Sequence, residues 1–220
     1  LIGPAYISTA ENFEVVNNEN LLNIVDSSYI VSKYSSGAVV REILHGTNKT
    51  SYRIHENENN KYDRIVSVGM FEHVGIKYFK TYLKKTYDLL KENGVFLLHT
   101  IGQRGIPTAT SPWIRKYIFP GGYIPSLSDI IIETQKLNIN ITDIEILRLH
   151  YAHTLSHWYK NIQKNKDEII KMFDIRFYKM WEFYLLASKY SFQNMGNVVF
   201  QIQIAKNINN LPLTRNYMYN

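Results

Sequence analysis

Three apolar runs in this chain each lead into a polar doublet. "YDRIVSVGMF" runs into Glu72–His73, "VFLLHTIG" carries His99–Thr100, and "ITDIEILRLH" ends at His150–Tyr151. In an open parallel sheet, ligands bind beyond the carboxyl ends of the strands. If these runs are strands of such a sheet, Glu72, His99 and Tyr151 share one rim although they are far apart in sequence. An acid, an imidazole and a phenol together can hold a base, a small anion or a metal. Each residue also has a plainer role. Glu72 can cap a following helix, His99 can be a core imidazole bonded to backbone, and Tyr151 can be a packing residue. His153 and His157 stand four apart, but no acid lies at metal-ligand spacing from them. "FPGGY" lacks the strand-to-helix setting and the Lys of a phosphate-binding loop, so it reads as a turn.

The elements that must position these residues follow from periodicity. "YDRIVSVGMF" is β-branched and apolar and ends beyond a Gly, as a buried parallel strand does. "KYFKTYLKKTYDLLKENG" places Tyr78, Phe79, Tyr82, Leu83, Leu89 and Leu90 near helical spacing, with Gly94 as its expected C-terminal stop. "VFLLHTIG" is the next strand, which completes a right-handed strand–helix–strand unit. "PTATSPWIRKYIFPGGYIPS" is rich in Pro, Gly and aromatics and reads as a long ordered loop of the lid or binding kind. "SLSDIIIETQKLN" is a helix with Ser126 or Ser128 as N-cap. "ITDIEILRLH" is a strand, and "TLSHWYKNIQKNKDEIIKM" and "IRFYKMWEFYLLASKYSFQ" are amphipathic helices. "NVVFQIQIAKN" alternates, with Val199, Gln201 and Gln203 on one face and Phe200, Ile202 and Ile204 on the other. That predicts a final antiparallel strand near an edge. Upstream, apolar residues spaced through "LLNIVDSSYIVSKY" predict a helix, and the Asn-rich "SYRIHENENNKY" predicts a loop.

Composition narrows the class. The 220 residues are 45% hydrophobic and 20% charged, as in a globular protein. The run of apolar residues that a transmembrane helix needs is absent, and the first residues do not read as a signal peptide. Cys is absent, which removes disulfides, thiolate metal ligands and a thiol nucleophile, and fits a cytoplasmic protein. The charge of +6 is uneven: residues 1–60 carry −3 and residues 61–220 carry +9. That surplus suits an anionic surface, though it is also what a basic, well-solvated surface looks like. The lysines are scattered and no nucleic-acid motif is present, so a phospholipid surface is the expected partner and nucleic acid is not.

Five segments now taken in order carry a resemblance: "YDRIVSVGMFEHVG", "LLKENGVFLLHTIG", "PWIRKYIFPGGYIPS", "LRLHYAHTLSHWY", and "RFYKMWEFYLLASKYSF" with "VVFQIQIAK". They resemble the cyclopropane-fatty-acyl-phospholipid synthases, collinearly from about Ser51 to Lys206. "GPAYISTAENFEVVNNENLLNIV" is similar, more weakly, to the end of that family's small N-terminal domain. The resemblance implies an α/β, Rossmann-like class I methyltransferase sheet: its C-terminal half over 61–206, with a final antiparallel strand and inserted helices. It also implies an N-terminal remnant over 1–35, a junction over 36–60 and a tail over 207–220.

The implied activity is transfer of a methylene from S-adenosylmethionine to the cis double bond of a phospholipid acyl chain. The protein would act in the cytoplasm, peripherally at the inner membrane surface and against anionic phospholipid. The resemblance further implies a bicarbonate ion as general base, held by residues matching Glu72, His99, Ile101 and Tyr151. A family Cys that also holds it has no counterpart here. Neither has the Gly-rich "GCGWG" cofactor loop, nor the acidic strand end that holds the ribose; the chain contains no Gly-x-Gly. No residue is therefore assigned to cofactor binding. A non-catalytic remnant or lipid-surface module stands as the alternative, and a homo-oligomer or a complementing chain remains open. The strand over 62–71 is expected to lie at an apolar edge.

Overall fold

The computed structural model describes residues 61–218, together with Asn59 and two short strands, β1 (Phe13–Glu14) and β2 (Lys33–Tyr34), which pair antiparallel. The expected remnant and junction lie outside the described residues apart from these pieces. So does the helix expected over 21–34, except at its end, where Lys33–Tyr34 is strand rather than helix.

The remaining elements form a four-stranded mixed sheet with helices on both faces. In chain order they are β3 (Tyr62–Val68), α1 (Phe71–Val74), α2 (Phe79–Leu89), β4 (Leu90–Gln103) and α3 (Pro112–Tyr117). There follow α4 (Leu127–Lys136), β5 (Asn140–Leu147), α5 (His150–Lys164), α6 (Lys166–Met172), α7 (Ile175–Asn194) and β6 (Asn197–Ala205). The strand order is β3-β4-β6-β5. β3 runs parallel to β4, with Val68 opposite His99, and β6 runs antiparallel to both β4 and β5.

The parallel β3–β4 pair is joined through α2, whose Phe79, Tyr82, Leu83, Thr86 and Leu89 are buried at helical spacing. That stripe docks on the sheet and closes the crossover. Gly94 is not the stop of this helix. α2 ends at Leu89, β4 begins at Leu90, and the pairing slips between Tyr62 and Arg64 to absorb the extra residues. Gly94 instead sits in that irregular stretch, where a Cβ would lie 2.8 Å from the Lys91 carbonyl oxygen. The position is held for space, not for a helix cap.

Strand β6 is antiparallel and near an edge as expected, one strand in: β4 and β5 flank it, and β5 is the last strand of the sheet among the described residues. Its alternation is therefore two-sided burial. Phe200, Ile202 and Ile204 join a core with Ile65, Phe79, Phe96, Leu98 and Ile130 under α2 and α4. Val199 joins a second core with Leu155, Tyr184, Leu185 and Phe192 under α5 and α7. The loop expected at 107–126 contains a short helix, α3, with Pro112 in its first turn, where a missing N–H costs nothing. α4 opens on Ser126 in a capping box: the Ser126 hydroxyl accepts from Asp129 N–H and Asp129 accepts from Ser126 N–H.

Gly102 marks how closely the central strands approach. A Cβ there would lie 2.1 Å from the ring of Phe200, which is buried and cannot swing away. Gly102→Ala is expected to destabilise the chain by about 1–3 kcal/mol through overpacking. Urea denaturation checks this; an unchanged midpoint would mean that β4 and β6 tolerate separation.

Candidate functional site

The parallel pairing sets the site. Past Val68 the chain turns at Gly69, which adopts φ 64° and donates its N–H to the His99 carbonyl at 3.0 Å. That turn carries α1 back over the end of β4. Glu72, in the first turn of α1, then points across to β4, where its Oε1 accepts the Ile101 N–H at 2.5 Å. The carboxyl does not cap the long helix that follows, α2, whose N-cap position is Tyr78. The backbone of α1 is held from the far side by the Pro–Gly turn: Tyr123 N–H donates to the Glu72 carbonyl at 2.8 Å. Tyr123 in turn donates its hydroxyl to Asp129 at the start of α4.

Glu72 is 7% exposed. Burial pushes its carboxyl up to about 7, against smaller opposing effects of its own backbone, the Ile101 N–H and the neighbouring Thr100. Near neutral pH the group is thus poised between acid and carboxylate. Its second oxygen, Oε2, is buried without a hydrogen-bond partner. A buried polar atom left unsatisfied costs on the order of 1–3 kcal/mol and calls for an explanation. An anion at that oxygen supplies one, because a neutral carboxyl can donate its O–H to it without like-charge repulsion.

The other candidates occupy the same end of the sheet. His99 and Ile101 lie on alternate positions of β4 and so share one face, the one on which Ile101 packs against the α5–α7 core. Burial lowers the basicity of His99, which favours the neutral imidazole. Tyr151 lies in the first turn of α5, its ring 5.0 Å from Phe192 and 5.8 Å from Trp158. Burial raises its phenol well above the ordinary range; the nearby Tyr184 and Glu72 raise it further. Tyr151 is therefore a neutral hydroxyl within electrostatic reach of Glu72. Ile101 contributes by its backbone, whose N–H is already committed to Glu72. Among the described residues no group of three or more His, Asp and Glu is arranged for a metal, which leaves His153 and His157 as exposed surface imidazoles.

Three participants were not identified from sequence. Thr100 is fully buried beside the carboxyl, and its hydroxyl donates to the Ile101 carbonyl at 3.1 Å. Tyr184 is buried beside Tyr151 and has its phenol pushed up to about 12 by burial. His73, beside Glu72, stands edge-on to Phe119 at 5.4 Å, and burial lowers it to about 4. Nothing in a helix of aromatic residues distinguishes Tyr184 from a packing residue. Thr100 and His73 had a local signal, each as the second member of a polar doublet beside an apolar run.

These groups make stability depend on pH in opposite senses. Glu72 has a folded-state pKa raised from 4.5 to about 7, so its contribution is fully present below pH 4.5 and is lost as pH rises through 7. His73 is lowered from 6.5 to about 4, so its contribution is present above pH 6.5 and is lost as pH falls through 4. The two partly cancel in the wild-type chain. Glu72→Gln removes the first alone. Its stability relative to wild type is expected to rise by about 3 kcal/mol between pH 4.5 and 7. Denaturation curves at a series of pH values test this; a parallel pH dependence of the two proteins would place an ionised carboxylate at Glu72.

A family model described as mycolic acid cyclopropane synthetase matches residues 33–202. The cyclopropane-fatty-acyl-phospholipid synthase of Escherichia coli is 37% identical over 152 residues, covering 69% of this chain and 40% of that protein. Among solved structures, the cyclopropane synthase MmaA2 from Mycobacterium tuberculosis superposes with a TM-score of 0.63 at 29% identity, over 69% of this chain and 57% of that one. The mycolic acid cyclopropane synthase CmaA1, solved with SAH and CTAB, gives a TM-score of 0.61 at 28% identity, over 68% and 57%. The chain thus spans about two fifths of its E. coli relative. It belongs to the mycolic acid cyclopropane synthetase family and has the mixed α/β fold of the class I S-adenosylmethionine-dependent methyltransferases.

Proposed function

We propose that the chain serves S-adenosylmethionine-dependent methylene transfer to the cis double bond of an unsaturated phospholipid acyl chain, with bicarbonate as general base. The observation that carries this reading is the Glu72 carboxyl, buried, raised to about 7 and with Oε2 unsatisfied. Methylation of an alkene leaves a carbocation, and ring closure needs a proton taken from the new methyl group. Glu72, His99 and Tyr151 would hold the bicarbonate, with Ile101 positioning Glu72 through its N–H; the chemistry of the ion there is that of a small base able to enter an apolar site.

The residues present fit that role. A protonated Glu72 offers an O–H to an anion, and the neutral Tyr151 phenol offers a second. The half-buried, neutral His99 adds no charge to attract or repel one. Ile101 holds Glu72 in place through its N–H and presents an apolar side chain to the acyl group.

S-adenosylmethionine supplies an electrophilic methyl group when bound, and the relatives named above support it as the cofactor. No residue of this chain is assigned to holding it. A complementing chain carrying a Gly-rich loop is the partner this reading calls for. The working place is the cytoplasmic face of a membrane, peripherally, against anionic phospholipid; the surplus of +9 over residues 61–220 supports that. No helix of the described residues is long and apolar enough to cross a bilayer. A second reading, a lipid-surface module without cofactor binding, is favoured by one observation: the sequence contains neither Gly-x-Gly nor Cys.

The test is incubation of the purified chain, combined with a chain that carries the Gly-rich cofactor loop, with vesicles of a cis-unsaturated phospholipid and methyl-labelled S-adenosylmethionine, followed by mass spectrometry of the acyl chains. The expected product is an acyl chain heavier by one labelled methylene. Glu72→Gln should lower its rate of formation by about a hundredfold or more. Near-normal turnover of that variant would remove Glu72 from the site. No product, together with no heat of S-adenosylmethionine binding up to millimolar concentrations, would support the second reading.

A further inference from the structure

The turn between α6 and α7 exposes three large apolar side chains in close succession: Met172 at 63%, Phe173 at 55% and Ile175 at 46%. A soluble surface rarely clusters such residues without a partner. The flanking charge is biased. Residues 160–179 carry six Lys and Arg (Lys160, Lys164, Lys166, Lys171, Arg176 and Lys179) against Asp167, Glu168 and Asp174, all of them exposed. An apolar tip inside a basic collar complements an anionic bilayer: the tip enters the acyl region while the collar meets the headgroups.

The tip is also connected to the site. Phe173 stacks on Phe177 with ring centroids 4.3 Å apart, Phe177 lies parallel to Trp181 at 6.2 Å, and Trp181 meets Tyr184 at 5.0 Å. Tyr184 meets Phe119 edge-on at 5.8 Å, and Phe119 meets His73, the neighbour of Glu72, at 5.4 Å. A row of ring contacts thus runs from the exposed turn to His73, the residue next to Glu72 in sequence.

We propose that the α6–α7 turn, through Met172, Phe173 and Ile175, is the part of this chain that enters an anionic phospholipid bilayer. This rests on the lipid reading given above and names the surface that serves it. The committed occupant is the bilayer. A second copy of the chain is the competing occupant, and the test separates the two.

The absence of Cys allows a site-specific test. Phe173→Cys and, as a control on a remote and fully exposed residue, Leu213→Cys are each labelled with an environment-sensitive fluorophore. Each is mixed with vesicles of phosphatidylglycerol and phosphatidylcholine, or of phosphatidylcholine alone. The label at 173 should shift to the blue and become protected from a water-soluble quencher on the anionic vesicles only, while the label at 213 stays accessible. The double variant Met172→Ser, Phe173→Ser should partition onto anionic vesicles about tenfold more weakly than wild type. If wild type co-sediments with the vesicles while the label at 173 stays exposed, the turn is the wrong surface although the lipid reading stands. If wild type does not co-sediment, both fall. If the label is protected without vesicles and increasingly so with protein concentration, the occupant is a second copy and the bilayer proposal is overturned.

Discussion

The hydrogen bond from the Ile101 N–H to Glu72 Oε1 joins the two halves of the strand–helix–strand unit at the end where chemistry can occur. It is made only because β3 and β4 run parallel. Parallel pairing places both carboxyl ends on one rim, and the Gly69 turn sends α1 back across that rim. The bond brings a carboxyl into a region of low dielectric, where its charge is penalised and its hydrogen bonds are strengthened. One oxygen is satisfied and the other is not. That asymmetry gives the site its chemical character: a neutral acid able to donate toward a ligand, inside an otherwise apolar end of the sheet.

Everything around the carboxyl keeps it dry. The core under α2 and α4 closes one face of the sheet, through residues such as Phe71, Phe79 and Leu98. The aromatic core under α5 and α7 closes the other, through Tyr184, Phe192 and Leu155. Close approach of the central strands depends on the missing side chain at Gly102, whose place is filled by the Phe200 ring. The lowered basicity of His73 and His99 and the raised phenols of Tyr151 and Tyr184 share one leading cause, removal from water. The site is therefore almost uncharged at neutral pH. That suits an apolar substrate, and Glu72 is the group within it that is balanced between two protonation states.

The alternating apolar patterns determined much of this before any coordinates. Continuous apolar runs identified β3 and β4, alternation identified β6, and helical stripes identified α2, α4, α5 and α7, because burial of one face or stripe is a local property of the sequence. The five ordered segments determined the family and with it the sheet. They also singled out Glu72, His99, Ile101 and Tyr151 by position. Local pattern failed where the answer depended on a neighbour. Gly94 is a fine helix stop by its sequence context, but the register of β4 against β3 makes it part of a strand irregularity. The alternation of β6 suits an edge strand or an interior one equally, and only the pairing with both β4 and β5 decides.

The same division holds at the site. The sequence by itself put an acid, an imidazole and a phenol near the carboxyl ends of three apolar runs; the folded chain carries Glu72 on α1, His99 within β4 and Tyr151 on α5. Tertiary structure alone decided which of them meet and in what state. A pKa and an unsatisfied oxygen are set by the whole environment, here burial in the folded core together with the Ile101 N–H and Thr100 of another strand, and no window of sequence contains it. The aromatic row from Phe173 to His73 is of the same kind. Its members on α7 are spaced as any packed helix would space them, and Phe119 joins them from another segment only once the chain has folded.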